Sequence, residues 1–361
     1  MITENGLDNT SSYVHFYTTD SGVCHDVQHP REFLSRTSRD ITAIISPFVL
    51  LLGFIGNALT LVVMSRPSVR DSSTTIYLRC NAVLDTIVLL VGMLPQWIKS
   101  ISDFDLKVVS DWTCKFLTFI VYWGAYSSIW ILVLCSLDRC LLVVGPMGFS
   151  SNRTKKFTGL IISLACLASL SLNLVFLIGV DVVKEVGSDM VCRLHCKMPK
   201  KYDLFWVTIW PWIELIIKCL IPFTLLLVSH CAIIIRVAWR NHLRKTRPTS
   251  EGNDSGTWND LVASLTVTLV AVSAAFLICT IPLTAYYLWS NFIHVDLPPS
   301  MYAERELFFS IASLFHYLHF ACNFPVYVFT APGFRREFIQ MMSCKNKVHP
   351  AIRPSVSPSV S

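Results

Sequence analysis

Apolar runs recur seven times along the chain, near Ile41–Met64, Thr74–Ile98, Trp112–Val144, Phe157–Val180, Leu204–Trp239, Leu261–Trp289 and Leu307–Thr330. Each reaches the length a helix needs to cross a bilayer, about 20 residues. Polar, proline-bearing or charged breaks separate them. The pattern predicts an all-α membrane protein: a seven-transmembrane-helix bundle over 41–330, preceded by a polar segment over 1–40 and followed over 331–361 by a short amphipathic helix and a tail. The first segment has no basic stretch leading into an apolar one, so no cleavable signal peptide is expected and the first helix serves as its own insertion signal.

Composition strengthens this picture. Hydrophobic residues make up 53% of the 361 and charged residues only 15%, where a soluble domain carries about 25% charge. Mean hydropathy is +0.53. Lipid is therefore the solvent for most of the chain. The net charge of +6 fits basic cytosolic loops and calls for no nucleic-acid partner.

Loop charges set the orientation. One set of loops carries Arg66 and Arg70, then Arg153, Lys155 and Lys156, then Arg240, Arg244, Lys245 and Arg247, then Arg335, Arg336 and Lys345. The other set mixes signs, although Arg193, Lys197, Lys200 and Lys201 crowd the loop before the fifth helix. The rule places the N-terminus outside and the tail in the cytosol of a multi-pass plasma-membrane protein. Asn9-Thr10-Ser11 then lies where glycans are added. Cys24, Cys114, Cys192 and Cys196 fall on the oxidising side, an even number suited to disulfides. Cys344, just past the last helix, suits palmitoylation and contact with membrane lipid.

A series of short motifs follows the helices in order. These are Gly56-Asn57, Asn81-Ala82-Val83-Leu84-Asp85, Trp112-Thr113-Cys114 with Asp138-Arg139-Cys140 25 residues on, and Pro222. Phe276 with Cys279-Thr280-Ile281-Pro282, Asn323-Phe324-Pro325-Val326-Tyr327, and Phe334-Arg335-Arg336 complete the series. Together they resemble the rhodopsin-like (class A) G-protein-coupled receptors across all seven helices. There are departures. The fourth helix has no Trp, Thr280 replaces an aromatic residue, the seventh-helix proline is shifted by one, and His230 stands where Tyr is usual. The sixth helix starts without the Glu that would pair with Arg139.

The resemblance implies roles. Asp138, Arg139, Asn323 and Tyr327 serve activation, with Arg139 as the G-protein contact, and Ile129, Pro222 and Phe276 form a packed trio linking the pocket to the sixth helix. Asp85, an acid deep in an apolar helix, costs roughly 2.5–3.5 kcal/mol unless partnered. The resemblance sets Asn57, Ser128 and Asn323 around it and allows a bound sodium ion, with His319 replacing another Asn. No other cofactor is expected. Cys114 is expected to pair with Cys196 in preference to Cys192, with Cys24 left for Cys192. The tail serines Ser355, Ser357, Ser359 and Ser361 suit phosphorylation and arrestin binding.

The ligand is less constrained. Val121 stands where amine receptors carry Asp, which argues against an amine ligand, and Tyr317 stands where opsins carry Lys, which excludes an opsin. Trp210-Pro211-Trp212-Ile213-Glu214 resembles invertebrate neuropeptide receptors of the FMRFamide-like group. The expected ligand face comprises Val121, Tyr122, Tyr126, Glu214, Lys218, Thr280 and His316. Glu214 and Lys218, at i and i+4, either meet the ligand or form an internal pair that tolerates burial. A small-molecule chemosensory receptor is the alternative to a peptide receptor. No enzyme is expected. His316 and His319 lack a third ligand for a metal, and no internal repeat suggests a transporter.

Overall fold

The computed structural model describes residues 32–69, 72–102, 104–145, 155–186, 192–202, 204–246, 254–292 and 299–343. Asn9, Cys24, Cys344 and the tail serines lie outside the described residues, and of Cys192 only the backbone lies within them.

The spans are α1 (Glu32–Met64), α2 (Ser73–Ser102), α3 (Asp111–Val144), α4 (Lys155–Gly179), α5 (205–246), α6 (Asp254–Phe292) and α7 (Pro299–Ala321, continuing as Asn323–Thr330). A short α8 (Pro332–Met342) follows. Six helices are long and apolar enough to cross a membrane, and the bent α7 makes a seventh. Helix α1 begins at Glu32, nine residues before its apolar run, because polar contacts hold those early turns against α7. Ser35 donates to Glu306 Oε2 at 2.7 Å, and the Ser38 and Ser310 hydroxyls meet at 2.7 Å.

Helix α3 lies at the centre, contributing to six of the seven buried apolar clusters among the described residues. Its start follows from local chemistry. Ser110 accepts from the Thr113 amide at 3.1 Å while Thr113 Oγ1 accepts from the Ser110 amide at 3.0 Å, a capping box. It stops at Gly145, whose extended backbone is what a following proline imposes.

Prolines shape the other spans. A proline lacks its N–H, and its ring clashes with the carbonyl four residues earlier. The π-helical turns Leu89–Met93, Phe205–Ile209 and Glu214–Leu220 contain Val91, Val207 and Lys218, four residues before Pro95, Pro211 and Pro222. In all three, the helix absorbs its proline by widening. Pro47 and Pro282 sit inside continuous α-helix instead. Before Pro325 the chain breaks at Cys322 and bends by 52°.

Between α4 and α5 an antiparallel hairpin forms, β1 (Asp181–Val186) and β2 (Cys192–Lys197), a feature the hydropathy pattern does not announce. Three contacts fasten it to the top of α3. Cys114 and Cys196 form a disulfide, Lys115 pairs with Asp181 at 2.9 Å, and Asp111 accepts from the Val182 amide at 2.8 Å. At the opposite end α8 is amphipathic, as expected. Phe334 is buried against Tyr327 and Phe324, Arg335 and Arg336 are exposed, and Glu337 meets Arg66 at 3.0 Å.

Candidate functional site

Beneath the hairpin, polar side chains from α3, α5, α6 and α7 turn into the bundle. Helix α5 supplies Glu214 and Lys218, and both lie in the π-helical turn that Pro222 induces. Only 6% and 5% of their surfaces are exposed, and Lys218 Nζ donates to Glu214 Oε1 at 3.0 Å. Burying opposite charges at this depth costs least when they pair with each other. The Tyr122 and Tyr126 rings flank the ammonium at 5.7 Å and 5.9 Å, a cation–π clamp from α3. Tyr287 of α6 hydrogen-bonds Tyr122. His316 of α7 lies within electrostatic range of Lys218.

Two buried polar atoms around this pair have no partner: Tyr126 Oη and His316 Nδ1. A buried donor or acceptor left unmade costs about 1–3 kcal/mol. Such atoms on one wall are what a ligand or water completes. Above them Tyr122, Phe176, Trp206 and Trp210 stack beside the Cys114–Cys196 bridge, with Tyr122 and Phe176 ring centres 4.1 Å apart. Of the expected ligand face, Tyr122, Tyr126, Glu214, Lys218 and His316 come together. Thr280 is buried, while Val121 is half-buried and joins none of the interactions that define the set. Tyr287 and the edge-to-face Phe176–Trp206 contact were missed. Nothing but their aromatic character marks them in a chain with 22 Phe, 11 Tyr and 10 Trp.

Deeper in the bundle, Asp85 is fully buried and accepts three hydrogen bonds. They come from Ser128 Oγ at 2.5 Å, Asn81 Nδ2 at 2.7 Å and Asn323 Nδ2 at 2.7 Å. Asn81, one helical turn before the acid, was not singled out as its partner. Asn57 departs from the expectation. Its amide donates to the Phe320 carbonyl at 3.2 Å, because the break at Cys322 frees backbone acceptors on α7. The Oδ1 atoms of Asn57 and Asn323 and both His319 nitrogens are unpartnered. Asn323 thus joins α7 to α2, while Tyr327 is buried in an apolar bed with Val63, Leu132 and Val272.

Ile129 and Phe276 pack in one cluster with Val133 and Leu226. Pro222 is buried one turn before Leu226 but is not among the cluster's residues, so Leu226 stands in the expected trio. His230, in place of the usual Tyr, meets Ser136 of α3 at 3.1 Å. At the far end Arg139 Nη2 donates to Ser73 Oγ at 3.1 Å and lies 3.8 Å from Asp138. No cluster of three His, Cys, Asp or Glu side chains suited to a metal occurs among the described residues.

The family model "7 transmembrane receptor (rhodopsin family)" matches residues 56–327. The B1 bradykinin receptor of Canis lupus familiaris is 25% identical over 91% of this chain and 89% of its own length. Formyl peptide receptor 2 of Mus musculus is 22% identical over 86% of this chain and 85% of its own. The FMRFamide receptor of Drosophila melanogaster is 23% identical over 88% of this chain and 56% of its own.

Proposed function

The chain belongs to the rhodopsin family of seven-transmembrane receptors, and on that premise we propose that it sits in the plasma membrane, N-terminus outside, and binds an extracellular peptide. As a family member it is a signalling receptor coupled to heterotrimeric G proteins, not an enzyme. Relatives named for peptides over most of this chain favour a peptide over a small odorant. The observation that carries the reading is the pocket wall: a buried Glu214–Lys218 pair among unpartnered hydroxyl and imidazole atoms. A peptide brings backbone amides and carbonyls that such atoms recognise, and a charged side chain or terminus that either member of the pair could take.

A charge swap tests this. Glu214→Lys with Lys218→Glu restores an internal pair but reverses the field a ligand meets. Screened against a library of synthetic amidated peptides, the wild-type receptor should yield an active peptide. The swapped receptor should reach the surface and lose potency for it by tenfold or more, about 1.4 kcal/mol. Unchanged potency would remove both residues from the binding site.

The Asp85 site suits a sodium ion in its donor set. Ser128 Oγ and the unpartnered Oδ1 of Asn323 are oxygens beside the carboxylate, and Asp85, Ser128 and Asn323 would hold the ion. The ion would supply positive charge that stabilises this buried acid. Arrestin binding to the tail serines, a glycan at Asn9 and an acyl chain at Cys344 complete the proposal on residues 1–31 and 344–361.

A further inference from the structure

Arg139 is held by the start of a neighbouring helix. Its Nη2 donates to Ser73 Oγ at 3.1 Å and to Ser72 Oγ at 3.4 Å. Ser73 in turn donates to Asp138 Oδ2 at 2.9 Å. One hydroxyl therefore accepts from the arginine and donates to the adjacent carboxylate, using both capacities of a serine. Ser72 occupies the N-cap of α2 with extended backbone, a position whose side chain ordinarily accepts from the helix's own amides. Here it makes no cap bond and its oxygen faces Arg139 instead. The arginine side chain is only 17% exposed and its Nε has no partner. A guanidinium so placed cannot reach out to another protein without leaving the serines.

The sequence supplies a reason for such an arrangement. The sixth helix starts without the Glu that the family resemblance sets against Arg139. We infer that Ser73, with Ser72, is an autoinhibitory latch: the N-terminus of α2 holds Arg139 inside the bundle, and the latch opens when a G protein engages. The inference rests on Arg139 being the G-protein contact. Ser73 is a positioning residue, acting through the arginine. The contact is suited to reversibility. It consists of neutral hydroxyls at a helix N-terminus, whose dipole opposes a nearby cation, so it restrains the arginine without trapping it.

The test uses the full-length receptor in membranes, at a density where ligand-independent nucleotide exchange on added Gi, Gs or Gq heterotrimers exceeds that of receptor-free membranes. Rates are normalised to surface receptor. Ser73→Val and Ser73→Thr share one shape and differ in the hydroxyl. The valine variant should raise basal exchange at least threefold, and the threonine variant should stay near wild type. Ser72→Ala, an exposed position with little folding risk, should raise it by a smaller factor and decides the matter if the valine variant fails to reach the surface. Adding Arg139→Ala should abolish the increase. Equal basal rates in the valine and threonine variants, or no increase with any heterotrimer, overturns the latch. If instead the increase survives Arg139→Ala, the assignment of Arg139 as the coupling contact is what fails.

Discussion

Asp85 faces three donors and no acceptor: one hydroxyl and two amide nitrogens converge on its two oxygens. Replacing it with Asn puts an NH2 where an acceptor is needed. The cost is small, because the new NH2 can take the Oδ1 position, where the Ser128 hydroxyl can accept as well as donate. The remaining oxygen still accepts from Asn81 and Asn323. Asp85→Asn should therefore fold and reach the surface at near wild-type levels while removing the carboxylate that would hold the ion. We expect basal nucleotide exchange to fall in sodium relative to potassium at equal ionic strength for the wild type, and to be the same in both salts for the variant. A variant that kept the wild-type sodium response would place the ion elsewhere. This site shows what single residues disclose. An acid in an apolar run announces itself, and its partners Ser128 and Asn323 follow from family position. That Asn57 turns away to Phe320 depends on a carbonyl released by the bend at Cys322, which no residue type records.

Helix boundaries were legible in the hydropathy, to within about two residues for α3 and α4. Their interiors were not. A proline in a span signals a lost hydrogen bond without saying how the helix accommodates it. Pro95, Pro211 and Pro222 are each preceded by a π turn, whereas Pro282 is absorbed in continuous α-helix. The difference matters at Pro222, whose π turn carries Glu214 and Lys218 into the bundle. Pro222→Ala restores an amide donor and removes the ring clash with the Lys218 carbonyl, so the turn should relax toward α-helix. Amide hydrogen exchange over 214–222 should slow severalfold in the variant, and exchange as fast as wild type would show that the turn has another cause. The hairpin was equally hidden, since its six-residue strands read as mixed polar loop. The disulfide that fastens it closes a separation of 82 residues. Cys196→Ser should lower stability by about 2–4 kcal/mol, and a melting point shift of several degrees in detergent follows at about 2–4 °C per kcal/mol. The Lys115–Asp181 pair and the Asp111 contact would still tether β1.

In the whole molecule, the Glu214–Lys218 pair, the Ile129–Phe276 cluster, the Asp85–Asn323 bond and Arg139 form separate local contacts within one bundle. Much of the intervening surface is apolar side chain exposed on the outside of the bundle, such as Ile55, Leu164 and Ile278, suited to lipid and indifferent to which state the interior adopts. Linkage then constrains what happens at the far end. If a ligand raises G-protein affinity by some factor, the G protein must raise ligand affinity by the same factor, typically about 5–150-fold. On the proposed reading, Arg139→Ala removes the contact through which a G protein favours the active state and leaves the pocket wall's own residues unchanged. Its expected signature is twofold. Nucleotide exchange driven by an active peptide from the library screen should be abolished. That peptide's affinity for the variant should match the wild-type affinity measured without G protein, and adding G protein should no longer tighten it. Binding that still tightened on addition of G protein would show that coupling runs through another contact.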